Sequence, residues 1–183
     1  MTLRTCLLIC VTALTAVPSA ARDTTPTDAS PATVERTVDS VIDGFHAAAA
    51  AGDKDRYLGA MTESGVFLGT DEWERWPRQP DFEAYVGERF KEGGGWSYTP
   101  EERTVAFSAN GRVAWFDEVV VHERYGRFRG TGVLTRGVNG WKIAHYALSF
   151  LVPNEHWDQV TELIQTAPPA TAAASAKAPV VEP

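Results

Sequence analysis

Two side chains in this sequence pair the residue types that acid–base chemistry needs, Asp117 and His145. A carboxylate beside an imidazole orients the ring and favours its protonated form, which suits a general base. Each lies in a run rich in β-branched and aromatic residues, where side chains point alternately to opposite faces. If Lys142 faces solvent, then Trp141, Ile143, His145, Ala147 and Ser149 face inward. If Arg112 and Glu118 face outward, then Val113, Trp115, Asp117 and Val119 face inward. On that phase Asp117 and His145 are the candidate catalytic pair. The alternative is a pair that lines a pocket and only satisfies its own hydrogen bonds, because no nucleophile or oxyanion hole accompanies it.

The candidate ligand pocket adds Asp71, Trp73, Trp76, Trp115, Trp141, Ile143 and Ser149. Trp73 and Trp76 belong to the loop GTDEWERWP. There they either form a lid over a flat or apolar ligand or pack on the following helix. Asp71 suits a turn cap, accepting backbone N–H bonds. His46 reads as a satisfied, partly buried histidine. His122, Arg124, Arg127 and Arg129 read as a solvated strand end with Glu123, with an anion-binding role as the alternative. No metal site is expected, since His46, His122, His145 and His156 lack ligand spacing. Gly93-Gly94-Gly95 is not followed by the Lys and Ser or Thr of a phosphate loop. No cofactor is implied.

The elements that must position these groups follow from periodicity. Val34, Val38, Ile42 and Phe45 recur at three- and four-residue steps, which predicts a helix from Thr33 to Ala51 with Gly52 as its C-cap. Asp53 caps a second helix running to Met61. Val66–Leu68 reads as a short strand, and Phe82, Tyr85, Val86 and Phe90 mark a third helix. Four long strands follow, from Trp96 to Val152, with Asn110-Gly111 and Asn139-Gly140 suiting type I′ turns. Both strand faces are apolar, so both are expected to be covered. Asn154 begins a closing helix that should turn Trp157, Val160 and Leu163 or Ile164 inward. Helices gathered on one side of a meander make the fold class α+β.

The first residues, 1–21, read as a cleaved secretory signal: Arg4, an apolar core from Cys6 to Val17, and Ser19-Ala20-Ala21. Residues 22–31 form a polar lead-in, 32–166 the folded domain and 167–183 an Ala- and Pro-rich tail. Both cysteines fall within the signal, so the mature chain has no thiol chemistry and no disulfide. Net charge is −7, and −8 once Arg4 leaves with the signal. That balance excludes the basic face that nucleic acid requires. No later segment is apolar enough to span a membrane. A periplasmic or secreted location is expected.

Val66-Phe67-Leu68-Gly69-Thr70-Asp71, Val113-Ala114-Trp115-Phe116-Asp117-Glu118 and Gly132-Val133-Leu134 are three local motifs. Gly140-Trp141-Lys142-Ile143-Ala144-His145 with Ser149 and Pro153-Asn154 is a fourth. With this layout, the chain resembles the SnoaL-like branch of the nuclear transport factor 2-like superfamily. The resemblance implies a cone-shaped half-barrel. A curved antiparallel sheet would pack on three N-terminal helices, with a short C-terminal helix and a pocket at the wide end. Many such domains dimerise through the outer sheet face. Steroid isomerases of this fold carry a base carboxylate on the first strand, where this chain has Val66-Phe67-Leu68-Gly69. Three functions are compatible with these residues. The first is binding of a small, largely apolar or aromatic molecule by a homodimer. The second is a cofactor-free isomerase, dehydratase or cyclase using Asp117 and His145. The third is a protein interaction domain whose pocket is plugged by aromatic side chains.

Overall fold

The structure, a computed structural model, describes residues 31–91 and 95–167 and, for 31–36, the backbone alone. The expected signal, and the lead-in and tail apart from Pro31 and Ala167, lie outside the described residues, as do Gly93 and Gly94.

Helix α1 spans Pro31–Ala50 and buries Val38, Ile42, Phe45 and Ala49 on one stripe. Gly52 ends it at φ 65. Its N–H reaches Ala49 O at 3.0 Å, and that of Asp53 reaches Ala48 O at 2.9 Å. This is the paired C-cap that satisfies two orphan carbonyls. Asp53 then accepts the Arg56 N–H and caps α2, Lys54–Gly59. Strand β1 runs Met61–Leu68, longer than the three residues expected, and β2, Arg75–Pro77, lies inside the expected loop. An irregular turn over Arg78–Phe82 leads to α3, Glu83–Lys91.

The meander is β3 Thr99–Phe107, β4 Val113–His122, β5 Gly126–Gly137 and β6 Gly140–Phe150. Sheet order is β2-β1-β6-β5-β4-β3, antiparallel except where β1 lies parallel to β6. The hairpins fall where the sequence places them, with a different turn. Gly140 has φ 94, but no described non-glycine residue has positive φ, so Asn139 does not adopt the type I′ conformation. Val138 and Asn139 bridge the paired Gly137 and Gly140, leaving the left-handed position to glycine alone.

Two phase corrections decide what faces the helices. On β4 the buried face is Ala114, Phe116, Glu118, Val120 and His122, so Asp117 points outward and Glu118 inward. Both phases offer an apolar row, and burial of Phe116 against the helices selects the one that brings Glu118 with it. On β6, Leu134 pairs with Ile143 but Val133 pairs with His145. Ala144 is the extra residue of a bulge, which inverts the strand beyond it. Trp141 and Ile143 face inward as expected; thereafter Tyr146 and Leu148 do, and His145 and Ser149 face outward.

The cone is filled by rings. Phe45 stacks on Tyr57 at 4.2 Å, Phe67 on Phe82 at 4.7 Å and on Tyr146 at 5.6 Å, with Trp96 edge-on to Tyr57. Each such pair adds about 0.5–1.5 kcal/mol to its burial. Helix α4, Trp157–Thr166, corrects the last expectation. It follows a short turn over Asn154–His156, its N-cap is His156, and it buries no residue. Trp157, Leu163 and Ile164 are exposed. No described helix is long and apolar enough to cross a membrane.

Candidate functional site

Helix α1 presents Asp39, Asp43 and His46 at four- and three-residue steps, hence on one face. Arg103 of β3, Glu118 of β4 and Tyr146 of β6 come up beneath that face. Glu118 is 1 % exposed. Its Oε1 accepts His46 Nε2–H at 2.8 Å and the Tyr146 hydroxyl at 2.9 Å. Its Oε2 accepts Arg103 Nε at 3.0 Å and Nη2 at 2.8 Å. Arg103 Nη1 turns back to α1, reaching Asp39 Oδ1 at 3.2 Å and Asp43 Oδ1 at 2.9 Å.

Burial pulls the Glu118 carboxyl upward, yet the hydrogen bond and charge of His46, with Arg103 beside it, hold it below the usual carboxylate value. Glu118 is therefore ionised at neutral pH with both oxygens engaged. Burial, then Glu118 itself, pushes the Tyr146 phenol well above its ordinary value, so it remains a donor. Gly130 makes the room: a Cβ there would lie 2.5 Å from the Tyr146 hydroxyl and 2.8 Å from Glu118 Cγ. Gly132 does the same for the Phe116 ring at 2.5 Å.

A cleft of about 270 Å³ opens beside this network, between α1 and the start of β3. Its walls are Asp43, His46, Ala47, Ala50, Tyr98, Thr99 and Pro100. His46 commits its Nε2 to Glu118 and is itself one wall of the cleft. Tyr98 holds its proton, its pKa pushed up to about 12 by burial and by Glu74. Deeper in the cone the buried Tyr57 and Tyr85 hydroxyls have no hydrogen-bond partner. The Trp96 indole lowers the Tyr57 pKa against the upward pull of burial but lies outside hydrogen-bonding geometry.

A profile of the SnoaL-like domain family matches residues 38–153, which span every element from α1 to the end of β6. The chain belongs to the SnoaL-like domain family. No curated protein matches it. Among solved structures, a protein with a cystatin-like fold from Nostoc punctiforme superposes with a TM-score of 0.61 at 15% identity, over 78% of this chain and 90% of that one. An NTF2-like protein of unknown function from Pseudomonas putida gives 0.57 at 14%, over 68% and 91%. An NTF2-like protein from Cytophaga hutchinsonii gives 0.53 at 10%, over 64% and 98%. At these identities the likeness is one of fold.

Within this SnoaL-like domain the sequence-derived candidates separate. Asp117 lies on the outer face, exposed, 3.2 Å from Arg129 Nη1. His145 is also on the outer face. Strand β5 stands between them, with Asp117 opposite Thr131 and His145 opposite Val133. The two are neither adjacent nor turned to the helices. Trp141 and Ile143 are core, Trp141 edge-on to Phe107. Trp115 and Ser149 face outward. Asp71 Oδ1 accepts the Trp73 N–H at 3.1 Å, the turn cap expected of it. Trp76 stacks on Tyr85 of α3 at 4.8 Å, while Trp73 stays half exposed. At the strand end, Arg127 pairs with Glu101, and His122 is buried, accepting the Arg124 N–H. No cluster of three or more His, Cys, Asp or Glu able to hold a metal occurs among the described residues.

The sequence reading missed Arg103, Glu118 and Tyr146, and gave His46 a structural role only. One signal could have found them. Gly130 and Gly132 alternate on β5, and two small residues on one face mark the side on which bulky groups must fit.

Proposed function

We propose that this SnoaL-like domain is exported and binds a small, largely apolar molecule in the cleft beside His46. The observation that carries this reading is the make-up of that cleft. Ala47, Ala50 and Pro100 give it apolar walls, and His46, Asp43 and Tyr98 converge on it as the few polar groups. The rings that fill the cone keep the ligand at the rim. Arg4, the apolar core Cys6–Val17 and Ala21 support export. Titration of the isotope-labelled protein with a panel of lipid and aromatic metabolites tests the reading. A saturable binder that shifts the Ala47, Ala50 and Thr99 amides is expected, and a panel without one counts against it.

A second reading concerns the outer face. Trp115 is 48 % exposed there, with Val133 directly opposite on β5 and His145 beyond it. An exposed indole among β-branched neighbours suits a surface covered by a second copy. It supports a homodimer through this face.

A further inference from the structure

We propose that Arg89 anchors a binding site for a small monocarboxylate, with the Tyr85 hydroxyl as a further donor to the same carboxylate. The site belongs to α3, an element that does not line the cleft beside His46, and it stands independently of that cleft.

An unpaired guanidinium edge marks the site. Tyr85 and Arg89 lie one turn apart on the face of α3 that buries Val86 and Phe90. Nε and Nη2 of Arg89 are buried, and neither has a hydrogen-bond partner among the described residues. The same holds for the Tyr85 hydroxyl. A buried donor without an acceptor costs its full desolvation, and a charged donor costs more. Three such donors on one helical turn call for an acceptor. Arg89 as a whole is only partly buried, so the edge lies near the surface, within reach of a solute.

Arg103 shows what this edge does in the same protein. Its Nε and Nη2 converge on the Glu118 carboxylate at 3.0 and 2.8 Å. These two N–H groups point the same way, and their spacing matches a carboxylate. Glu74 does not fill that role for Arg89. It acts on Tyr85 through its charge, but its Oε2 accepts the Asp71 N–H at 3.2 Å and it does not reach the Arg89 edge. Tyr85 keeps its proton: burial and then Glu74 push its pKa up to about 12, with Arg89 pulling the other way. The phenol is therefore a donor at neutral pH.

Charge sets the class of ligand. One guanidinium neutralises one negative charge. Glu74 nearby, in a chain of net charge −7, disfavours a dianion. Trp76 and Trp96 stack with Tyr85 at centroid distances of 4.8 and 6.3 Å, so the body of the ligand meets aromatic surface and suits a short apolar or flat group.

Acetate, propionate and benzoate are the probes. Benzamide is the uncharged shape match of benzoate, and inorganic phosphate the control of higher charge. With the whole protein, at least one of the three carboxylates should bind saturably and shift the Arg89 Nε–H resonance in nitrogen-15 spectra. Arg89→Met keeps the apolar stem and removes the fork, and should weaken binding about tenfold or more. Arg89→Lys keeps the charge without the fork and should lose most of the binding as well. Without ligand, Arg89→Met should melt no lower than wild type, since it removes unpaired buried donors. An arginine with a structural role would do the reverse. Four results overturn the proposal: no saturable carboxylate, equal affinity in Arg89→Met, benzamide or phosphate binding as tightly as the carboxylates, or a lowered melting temperature in unliganded Arg89→Met. Carboxylate shifts confined to the Ala47, Ala50 and Thr99 amides overturn it too, while supporting the cleft reading.

Discussion

His46 Nε2 and Glu118 Oε1 stand 2.8 Å apart although 72 residues separate them in the chain. One comes from the polar edge of a helix stripe, the other from the middle of a strand apolar on both faces. Their meeting ties α1 to the sheet and sets His46 in the wall of a cleft between α1 and β3.

Neighbouring acids should behave oppositely. Glu118→Gln removes the buried charge that pairs with partly buried Arg103 and is expected to cost about 3 kcal/mol of stability. Asp117→Asn breaks a half-exposed pair with Arg129 and should change stability by no more than about 0.5 kcal/mol. Urea denaturation of the two variants measures this directly, and equal effects would reverse the orientation of β4.

Glycine spacing on β5 gives a packing prediction. Gly130→Ala drives a methyl into the Tyr146 hydroxyl and Glu118, and should destabilise by about 1–3 kcal/mol. Gly137→Ala, whose nearest non-neighbour atom is 4.0 Å away, should be close to neutral. Thermal melts of both variants distinguish a strand-wide glycine effect from a local one.

Acid sensitivity follows from Glu118. Its folded carboxyl lies below the unfolded value of 4.5. The stability it contributes is therefore fully present above that value and is lost as pH falls through the folded pKa. Stability should drop on acidification below about pH 4.5, and Glu118→Gln should flatten that part of the curve. Denaturation midpoints across this window provide the check; an unchanged acid limb in the variant would contradict it.

Trp115 tests the outer face. If two copies pair there, Trp115→Arg should shift sedimentation from dimer to monomer while the melting temperature changes little at fixed low concentration. A monomeric wild type would remove the dimer reading.

Much of this architecture is legible in the residues. The stripe of Val38, Ile42 and Phe45 gives α1, Asp53 gives its neighbour, and runs of β-branched and aromatic residues give the meander. What is not legible is phase. Val113, Trp115 and Val121 compete with Ala114, Phe116 and Val120 for the inner face of β4. Nothing local settles a choice that tertiary burial makes. The Ala144 bulge carries no marker of its own, so one extra residue turns His145 and Ser149 outward. The acid–base pair was thus sought at Asp117, one residue from the carboxylate the fold uses. The amphipathic pattern of Trp157, Val160, Leu163 and Ile164 states that α4 has an apolar side. It does not state that this domain covers it, and among the described residues α4 buries none of its side chains.

The central claim is a ligand site built on the His46–Glu118 pair. The most direct test is the amide-shift titration carried out side by side on wild type and His46→Gln. The account predicts saturable shifts confined to the cleft at Ala47, Ala50, Tyr98 and Thr99, with affinity reduced about tenfold or more in the variant, the loss of one buried hydrogen bond. Shifts centred instead on Trp115 and the outer sheet face, or identical affinity in the variant, would contradict it.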